Sequence, residues 1–328
     1  MKGTNRQRAI GNWQKKYCTH FANCLLPIAY SLFLSCNNSP QQETDTPVSG
    51  SINISVDESY QPFISQGEEV FNSIYAEANI TAEYVDENTA VKNLLDNSAR
   101  IIVLNRKLSE DEGNVLKQYG IVPRVTKIAV DAAALIVNND NPEMSLTMEA
   151  LAKIIRGENK LWNQVNSKST PDSIIIVFDN TNSSNARFMK EKFLKGSSFP
   201  ENVFAVKSNK EVIDYVSNHK RALGVIGVNW ISASSDSSVN NFLSKVRVVS
   251  LAASDSVEDA QPCYKPYQAY IALKKYPLLR DVYIISREMK SGLGTGFASF
   301  VAGDSGQRIV RRAGLLPATM PVRLIKLN

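Results

Sequence analysis

Strand-like and helix-like segments alternate through the chain after Gly50, and this alternation limits the folds that the chain can adopt. Apolar residues at every second position predict a strand over residues 51–56. Continuous apolar runs predict buried strands over residues 101–104, 127–137 and 173–178. Strands that alternate with helices predict an α/β protein with mainly parallel sheets.

Helix starts are marked by serines that have a glutamate three residues later, the pattern of a capping box. The pattern occurs at Ser65, Ser109 and Ser208, and each predicts a helix that begins there. Thr147 is a further predicted cap. Towards the carboxyl end, residues 269–273 and 282–286 are apolar enough to predict two more strands.

Charge is distributed unevenly along the 328 residues. The chain has 37 basic and 32 acidic residues, but residues 1–35 contain five of the basic residues and none of the acidic ones. The remainder is therefore balanced, and it lacks the basic excess that binding to a nucleic acid backbone requires. Chains longer than about 250 to 300 residues tend to divide, so we expect two lobes.

The amino-terminal segment has the features of an export signal. A basic stretch is followed by a short apolar run over residues 25–34, and Ser35 then precedes Cys36. The end of this run resembles a bacterial lipobox, which predicts a signal peptide over residues 1–35 and a lipid on Cys36. Residues 36–50 are polar and predict a flexible tether. Ordinary signal-peptidase cleavage, with no role for the cysteine, is the alternative.

Cysteine and histidine are scarce once the signal segment is removed. Cys263 is then the only cysteine besides Cys36, and His219 is the only histidine. An intrachain disulfide would require the lipidated cysteine, and one histidine with one cysteine does not make a metal site. We therefore expect neither a metal nor another cofactor.

Short polar side chains follow the predicted strand that ends at Phe178. Residues 179–187 read Asp-Asn-Thr-Asn-Ser-Ser-Asn-Ala-Arg and lead into a predicted helix. Free backbone N–H groups at such a helix start can hold an anion. The candidate ligand-binding residues are Asn182, Ser183, Ser184 and Asn185. The alternative is that these side chains only cap the helix.

Several motifs, in order, resemble the phosphate-binding proteins of bacterial phosphate ABC importers. The similar segments are residues 104–109, 130–138, 141–147, 155–163, 223–227, 276–280 and 305–317. The resemblance implies a type II periplasmic-binding-protein fold, in which two α/β lobes close on an anion around two hinge crossings. We place the crossings near residues 128–131 and 263–267. Lobe 1 then comprises residues 51–128 and 265–328, and lobe 2 comprises residues 129–264.

The resemblance also places further residues in the cleft. Ser59 and Tyr60 replace part of a Gly-Ser-Thr segment, and Asn105 and Arg106 occupy the polar end of the third strand. The chain departs from the family in lacking an arginine at Asn180 and in having several acids. The residues that could alter ligand selectivity are Asp57, Glu58, Glu87 and Arg187. The alternatives are solvated turns and caps for the acids, a surface salt bridge for Arg106, and solvent or a carboxylate partner for Arg187.

The leading functional hypothesis is a lipid-anchored receptor that captures phosphate or a related small oxyanion. The resemblance implies permease subunits of an ABC importer as partners, a monomeric state, and a location on the periplasmic face of a bacterial membrane. We expect no enzymatic activity. One alternative is a sensor or scaffold lipoprotein of the same fold with another solute or none. A remote alternative is a hydrolase that uses carboxylates such as Asp57 and Glu58.

Overall fold

The computed structural model describes residues 45–232, 244–252 and 262–321. The predicted signal peptide, the lipidation site Cys36 and most of the predicted tether lie outside these residues. Within them, helices and strands alternate for most of the length, as the apolar periodicity predicts. Helices and strands are numbered here over the described residues only.

The strands are short, apart from one of 15 residues. They are β1 (Gly50–Asp57), β2 (Ala78–Val85), β3 (Ile101–Leu104), β4 (Arg124–Asn138), β5 (Ser145–Thr147), β6 (Ile175–Phe178), β7 (Val203–Ala205), β8 (Ala222–Gly227), β9 (Val246–Val248), β10 (Ser250–Ala252), β11 (Cys263–Tyr264), β12 (Leu279–Ser286) and β13 (Leu316–Pro317).

The helices lie mainly between consecutive strands, and a single 3-10 turn, Glu58–Tyr60, follows β1. They are α1 (Gln61–Ile74), α2 (Glu87–Leu95), α3 (Glu110–Gln118), α4 (Met148–Ile155), α5 (Trp162–Val165), α6 (Ser184–Phe193), α7 (Asn209–Asn218), α8 (Asn229–Ser232), α9 (Gln268–Ala272), α10 (Leu293–Ala302) and α11 (Asp304–Arg312).

One long sheet has the strand order β2-β1-β3-β12-β4-β8-β6-β7, and β13 and β9 also pair with β4. The pairs of β1 with β2 and β3 are parallel, as are the pairs of β6 with β7 and β8. The strands that border β4 run antiparallel to it. A separate small sheet contains β11, β10 and β5.

Strand β4 changes partners along its length and so divides the long sheet in two. Ala132 is the last residue paired with β12, and Ala133 is the first paired with β8. We call β2, β1, β3, β12 and residues 124–132 the first half-sheet. The second half-sheet comprises residues 133–138, β8, β6 and β7. The change of partners lies next to the crossing predicted near residues 128–131; the lobe boundaries themselves stay a prediction.

Buried apolar side chains fill both halves. The largest cluster joins residues of the first half-sheet, such as Ile54 and Val103, to residues of the second, such as Phe178 and Leu223. A second cluster packs Val212 and Val216 of α7 against β4 and β8. Burial of each such side chain contributes roughly 1.5–3 kcal/mol, so packing against the sheet fixes the helices that flank it.

Local signals for helix starts are confirmed in part. Ser109 accepts from Glu112 N at 3.2 Å and Glu112 accepts from Ser109 N at 2.7 Å, a complete capping box. Thr147 and Ser208 each accept from the backbone N–H three residues later. The Ser65 prediction is wrong: Ser65 lies inside α1, because Pro62 in the first turn lets the helix begin at Gln61.

The strand predicted over residues 269–273 is also wrong, since this segment forms α9, Gln268–Ala272. A five-residue apolar run is too short for periodicity to distinguish a strand from a helix. The strand predicted over residues 282–286 is confirmed within β12. Among the described residues, every helix is too short or too polar to cross a membrane.

The described part of the predicted tether lies against the first half-sheet. Asp45 pairs with Arg100 and accepts from the backbone N–H of Leu293. Pro47 passes so close to α10 that a Cβ at position 296, which is glycine, would collide with the Pro47 carbonyl oxygen. This packing fixes where the chain enters the described body.

Candidate functional site

The turn that follows β1 contacts the helix starts that follow β6 and β8. Asn185 Nδ2 in α6 donates to Ser59 Oγ at 3.3 Å. The Ser59 carbonyl oxygen accepts from Asn229 Nδ2 at 2.8 Å and from Trp230 Nε1 at 3.1 Å. The carboxyl ends of parallel strands in α/β sheets border the usual ligand crevice. We call this contact between the two half-sheets the junction.

Asp179 holds the second side of the junction together. Its Oδ1 accepts from Ser183 Oγ at 2.6 Å, and its Oδ2 accepts from Asn185 Nδ2 at 3.1 Å and from Asn209 Nδ2 at 3.0 Å. The carboxylate is buried, and burial raises its pKa above the ordinary range of aspartate. Hydrogen bonds from Ser183 and Asn185 oppose that shift.

Glu58 reaches across the junction from the first half-sheet. Its Oε2 accepts from Asn209 N at 3.1 Å and from Asn209 Nδ2 at 2.5 Å. Burial raises the pKa of Glu58 to about 8, the Asn209 side chain opposes the shift, and the Asp179 charge adds to it. At neutral pH this carboxyl group is therefore mostly protonated.

Asp57 ends β1 beside the first turn of α6. Its Oδ1 accepts from Ser59 N at 2.9 Å. Burial raises the pKa of Asp57 to about 7, and the charge of Glu87 adds to the rise. The nearby Ser184 hydroxyl lowers this pKa, although Asp57 Oδ2 and Ser184 Oγ lack a hydrogen bond of acceptable geometry.

A buried ion pair lies where β4 passes from one half-sheet to the other. Arg280 stands opposite Asp131 in the pairing of β12 with β4, and its Nη2 donates to Asp131 Oδ2 at 2.5 Å. Tyr60 OH donates to the same oxygen at 3.2 Å, and Arg280 Nη1 donates to Asn185 Oδ1 at 2.7 Å. The pair thus connects β4 to both sides of the junction.

A second ionic contact involves Glu87 at the start of α2. Arg106 Nε lies 2.5 Å and Arg187 Nε 2.8 Å from Glu87 Oε1, so arginines from both half-sheets share one buried carboxylate. Arg187 Nη2 also donates to Asn105 Oδ1 at 2.5 Å. Arg106 has Glu112 as a further partner. Both arginines therefore have carboxylate partners. For Arg187 this is one of the alternatives, whereas Arg106 contacts a buried carboxylate and not only a surface one.

Most of the predicted ligand-binding residues come together at the junction. Tyr60, Ser183 and Ser184 are buried there with the residues already described. Ser183 also caps α6, since its Oγ accepts from Ala186 N at 3.2 Å. Asn182 is not brought in: its side chain is exposed, and its backbone N–H donates to Asn180 Oδ1.

Several junction residues are missing from the sequence-based prediction. They are Asp131, Asp179, Asn209, Asn229, Trp230 and Arg280. Asp131 gives a usable signal, because a lone carboxylate in a long apolar strand requires a buried partner. Asn209 gives no such signal, since directly after the cap Ser208 it has the pattern of an ordinary helix start.

Five buried polar atoms near the junction have no hydrogen-bond partner among the residues that the structure describes. They are Asp57 Oδ2, Asn105 Nδ2, Asp131 Oδ1, Ser184 Oγ and Asn229 Oδ1. The backbone N–H groups of Ser184 and Asn185, at the start of α6, also donate to no acceptor within the described part of the chain. Buried polar groups are rarely left unpaired, so water or a small polar ligand can complete these contacts.

No group of three or more histidine, cysteine, aspartate or glutamate side chains within residues 45–232, 244–252 and 262–321 is arranged to hold a metal ion.

Comparison with known proteins gives one family and many relatives. The family model described as the PBP superfamily domain matches residues 41–305. The chain is 24% identical over 297 residues to the phosphate-binding protein PstS of Pseudomonas aeruginosa, which covers 85% of this chain and 86% of the relative. It is 24% identical over 299 residues to PstS of Borreliella burgdorferi, and the aligned region covers 88% of this chain and 95% of the relative.

Solved structures agree in fold. A putative phosphate ABC transporter substrate-binding protein with bound phosphate from Clostridium perfringens matches with a TM-score of 0.66 and 21% identity, over 82% of this chain and 100% of its own. An ABC-type phosphate transport receptor from Vibrio cholerae matches with a TM-score of 0.61 and 22% identity, over the same shares. The two-lobe α/β fold predicted from the sequence is confirmed by these matches.

Proposed function

Since the chain belongs to the PBP superfamily, we propose that it is a solute-binding protein that captures phosphate or a related small oxyanion between its two half-sheets. The family resemblance predicted from the motifs is confirmed by the superfamily match. Phosphate as the ligand is supported by the two PstS relatives, which are named for binding it. The proposed function has no catalytic step, and these relatives are named as binding proteins.

The observation that carries the proposal is the set of unpaired donors at the start of α6. The backbone N–H groups of Ser184 and Asn185 point out of the first helical turn, and the Ser184 hydroxyl beside them is buried and unpaired. Such a helix start attracts anions through its unpaired N–H groups and the helix dipole.

Protonation of the acids removes the conflict between an anionic solute and an acidic site. With pKa values of about 7 and about 8, Asp57 and Glu58 can each keep a proton near neutral pH. A protonated Asp57 donates to an oxyanion, and an ionised Asp57 accepts the proton of monohydrogen phosphate. Sulfate carries no such proton, so the ionised form of Asp57 would favour phosphate over sulfate, whereas the protonated form donates to either anion.

Cellular location and partners are part of the proposal. Residues 1–35 would be removed as a signal peptide, Cys36 would carry a lipid, and the monomeric receptor would stand at the periplasmic face of a bacterial membrane. Permease subunits of an ABC importer would receive the solute. Residues 51–128 with 265–328 and residues 129–264 would move as the two lobes.

Ser184→Ala tests the site directly, because it removes the buried hydroxyl at the start of α6. The loss of its interaction with Asp57 should also raise the Asp57 pKa further. The wild type should gain about 2.7 kcal/mol of stability at a hundredfold excess of phosphate over its Kd. The variant should bind phosphate about tenfold more weakly, as expected for the loss of one hydrogen bond. Isothermal titration calorimetry measures the affinity, and thermal unfolding measures the stabilisation.

Ser55→Ala is the matched control, since Ser55 is equally buried but accepts from Asn93 away from α6. It should retain the affinity of the wild type. The absence of any thermal shift with millimolar phosphate would remove phosphate as the ligand. Equal losses in Ser184→Ala and Ser55→Ala would instead contradict the placement of the site.

A sensor or scaffold protein without a solute is the second candidate, and one observation favours it. The chain's own groups already occupy part of the junction, where Glu58 takes two Asn209 donors and Glu87 takes both arginines. A thermal-shift screen of phosphate, sulfate, other oxyanions, amino acids and sugars separates the two. A scaffold shows no shift with any of them, whereas a receptor is stabilised by its solute.

A further inference from the structure

A cavity of about 720 Å³ opens on the first half-sheet beside the junction. Its walls come from the segment after β3, from β4 and β12, and from α9 and β13. None of its lining residues belongs to the second half-sheet, so closure around the hinge is not needed to form it. We call it the hinge-side groove.

The groove has an apolar floor and a positively charged rim. The floor is formed by Val130, Ile271, Leu279 and Leu316, and the rim by Arg106, Lys107, Lys127 and Lys274, with Asp281 as the one acidic residue among the described lining side chains. The lining residues also include Asn105 and Arg280 of the junction.

Two of the rim charges have no carboxylate partner among the described residues. Lys127 pairs with Asp281 at 2.6 Å, and Arg106 is held by Glu87 and Glu112. Lys107 is exposed and stands over the Tyr283 ring at 5.7 Å, and Lys274 is exposed with no ion pair to any described residue. The groove therefore has an uncompensated charge of about +2, which attracts a dianion.

An independent observation marks the inner end of the groove. Asn105 is only 7% exposed and lines the cavity. Its Nδ2 makes no hydrogen bond of acceptable geometry to a described residue, although the side chain lies close enough to the Tyr60 hydroxyl to lower the pKa of that group. A buried amide donor without a partner costs free energy unless a ligand or water accepts from it. An acceptor that enters the groove and reaches its wall satisfies this donor.

We propose that the hinge-side groove binds a small organic phosphate monoester, at a site separate from the oxyanion site at α6. Its phosphoryl group pairs with Lys107 and Lys274, since lysine binds phosphate as a point charge. Its carbon skeleton covers the apolar floor, and one of its oxygens accepts from Asn105 Nδ2.

The size of the groove favours an ester over inorganic phosphate. Pockets of about 300–1,000 Å³ hold ligands of drug size, and a bare oxyanion would leave most of the groove and all of its floor uncovered. A sugar or polyol without phosphate would leave the two lysines unpaired. An ester supplies both the charge and the carbon atoms that the groove requires.

The test measures binding of glycerol 3-phosphate to the wild type and to a double variant, Lys107→Glu with Lys274→Glu. Reversal of two rim charges should weaken the affinity about tenfold or more. Affinity for inorganic phosphate, measured in parallel by calorimetry, should change by less than about threefold, because neither lysine lies at α6.

The chain supplies a closely matched control, Lys192→Glu with Lys195→Glu. Lys192 stands over the Phe188 ring at 5.9 Å, as Lys107 stands over Tyr283. Lys195 has a left-handed backbone with φ of 47°, as Lys274 has with φ of 54°. All four lysines are exposed, and the control pair lies outside the groove. The control should retain the wild-type affinity for glycerol 3-phosphate.

Three results would overturn the proposal. The first is no saturable binding of glycerol 3-phosphate, and the second is an equal loss of affinity for it in the control double variant. The third is an equal loss of affinity for inorganic phosphate in Lys107→Glu with Lys274→Glu. The last would mean that one site binds both compounds. The protein could bind glycerol 3-phosphate through the two lysines and fail to bind inorganic phosphate. That result would support the groove as a binding site and contradict the proposed function. Failure of the one is therefore distinguishable from failure of the other.

Discussion

Two groups of buried acids lie within the same junction, and they differ in how their charge is balanced. Asp131 is paired with Arg280 at 2.5 Å and also accepts from Tyr60. Asp57 and Glu58 are held by amide donors and have no cation among their partners. Asp179 likewise accepts only from hydroxyl and amide groups.

The two groups of buried acids have different roles because only one of them is paired with a cation. The Asp131–Arg280 pair links β4 to β12, and Arg280 also donates to Asn185 of α6, so the pair fixes the geometry of these elements. Acids without a cation reduce the cost of burial by keeping protons. Burial raises the pKa of Asp57 to about 7 and that of Glu58 to about 8, so these two groups exchange protons near neutral pH. Asn185 contacts both groups, because its Oδ1 accepts from Arg280 and its Nδ2 donates to Asp179.

Arg280→Met gives the largest expected effect, because it leaves the buried Asp131 without its cation. Breaking a buried ion pair from one side costs about 3–5 kcal/mol. The free energy of unfolding, measured by urea titration, should fall by this amount. If Asp131 tolerates the loss by keeping a proton, as Asp57 does, the contrast between the two groups disappears.

Arg308→Met is the control, since Arg308 pairs with Asp304 at 2.8 Å on the protein surface. Its cost should stay below about 1 kcal/mol. A second variant, Arg280→Met with Asp131→Leu, should recover part of the lost stability, because it removes the unpaired charge. Equal costs for Arg280→Met and Arg308→Met would contradict the assigned role.

Local features of the fold could be predicted from the sequence, and contacts between distant segments could not. Strand β3 and the Ser109 capping box depend on a few neighbouring residues, and both are confirmed. The Asp131–Arg280 pair joins residues 149 positions apart and depends on the register of β12 with β4. Apolar periodicity carries no information on that register beyond which face is buried.

The candidate site was predictable to the same extent. Residues 183–185 lie at the junction because a strand and a helix start bring them there, a local pattern. Asn182 belongs to the same run, yet it is exposed, because the turn before α6 directs it outward. Asn209 joins the site only because α7 begins beside α6, which no local pattern predicts.

Glu87 is a third buried acid, and its charge balance differs from that of both groups. It is buried and paired with arginine like Asp131, but each of its arginines has a second acidic partner, Glu112 or Glu191. Glu87→Gln should therefore cost less than Arg280→Met, about 2–3 kcal/mol. Urea titration at neutral pH measures the difference in the free energy of unfolding.

Glu191→Gln is its control, because it removes only an exposed partner of Arg187. The expected cost is below about 1 kcal/mol. A cost for Glu87→Gln no larger than this would place the arginines with the surface ion pairs and would remove Glu87 from the link between the half-sheets.

Glu58→Gln gives the smallest expected effect and tests the acids that have no cation partner. Unfolded glutamate titrates near 4.5, and the pKa of Glu58 in the fold is about 8. Between these values the folded state holds a proton that the unfolded state has released, so stability falls as pH rises. Between about pH 6 and pH 8 the wild type should lose about 2 kcal/mol through this group.

Glutamine mimics the protonated form, since its Oε1 can still accept from both Asn209 donors. The variant should thus match the wild type near pH 6 and exceed it near pH 8, whereas Glu110→Gln at the exposed start of α3 should keep the wild-type profile. The Asp57 group leaves a residual slope in every variant, because its raised pKa acts in the same direction. An unchanged slope in Glu58→Gln would mean that Glu58 is ionised in the fold, and the charge contrast with Asp131 would then rest on Asp57 and Asp179 alone.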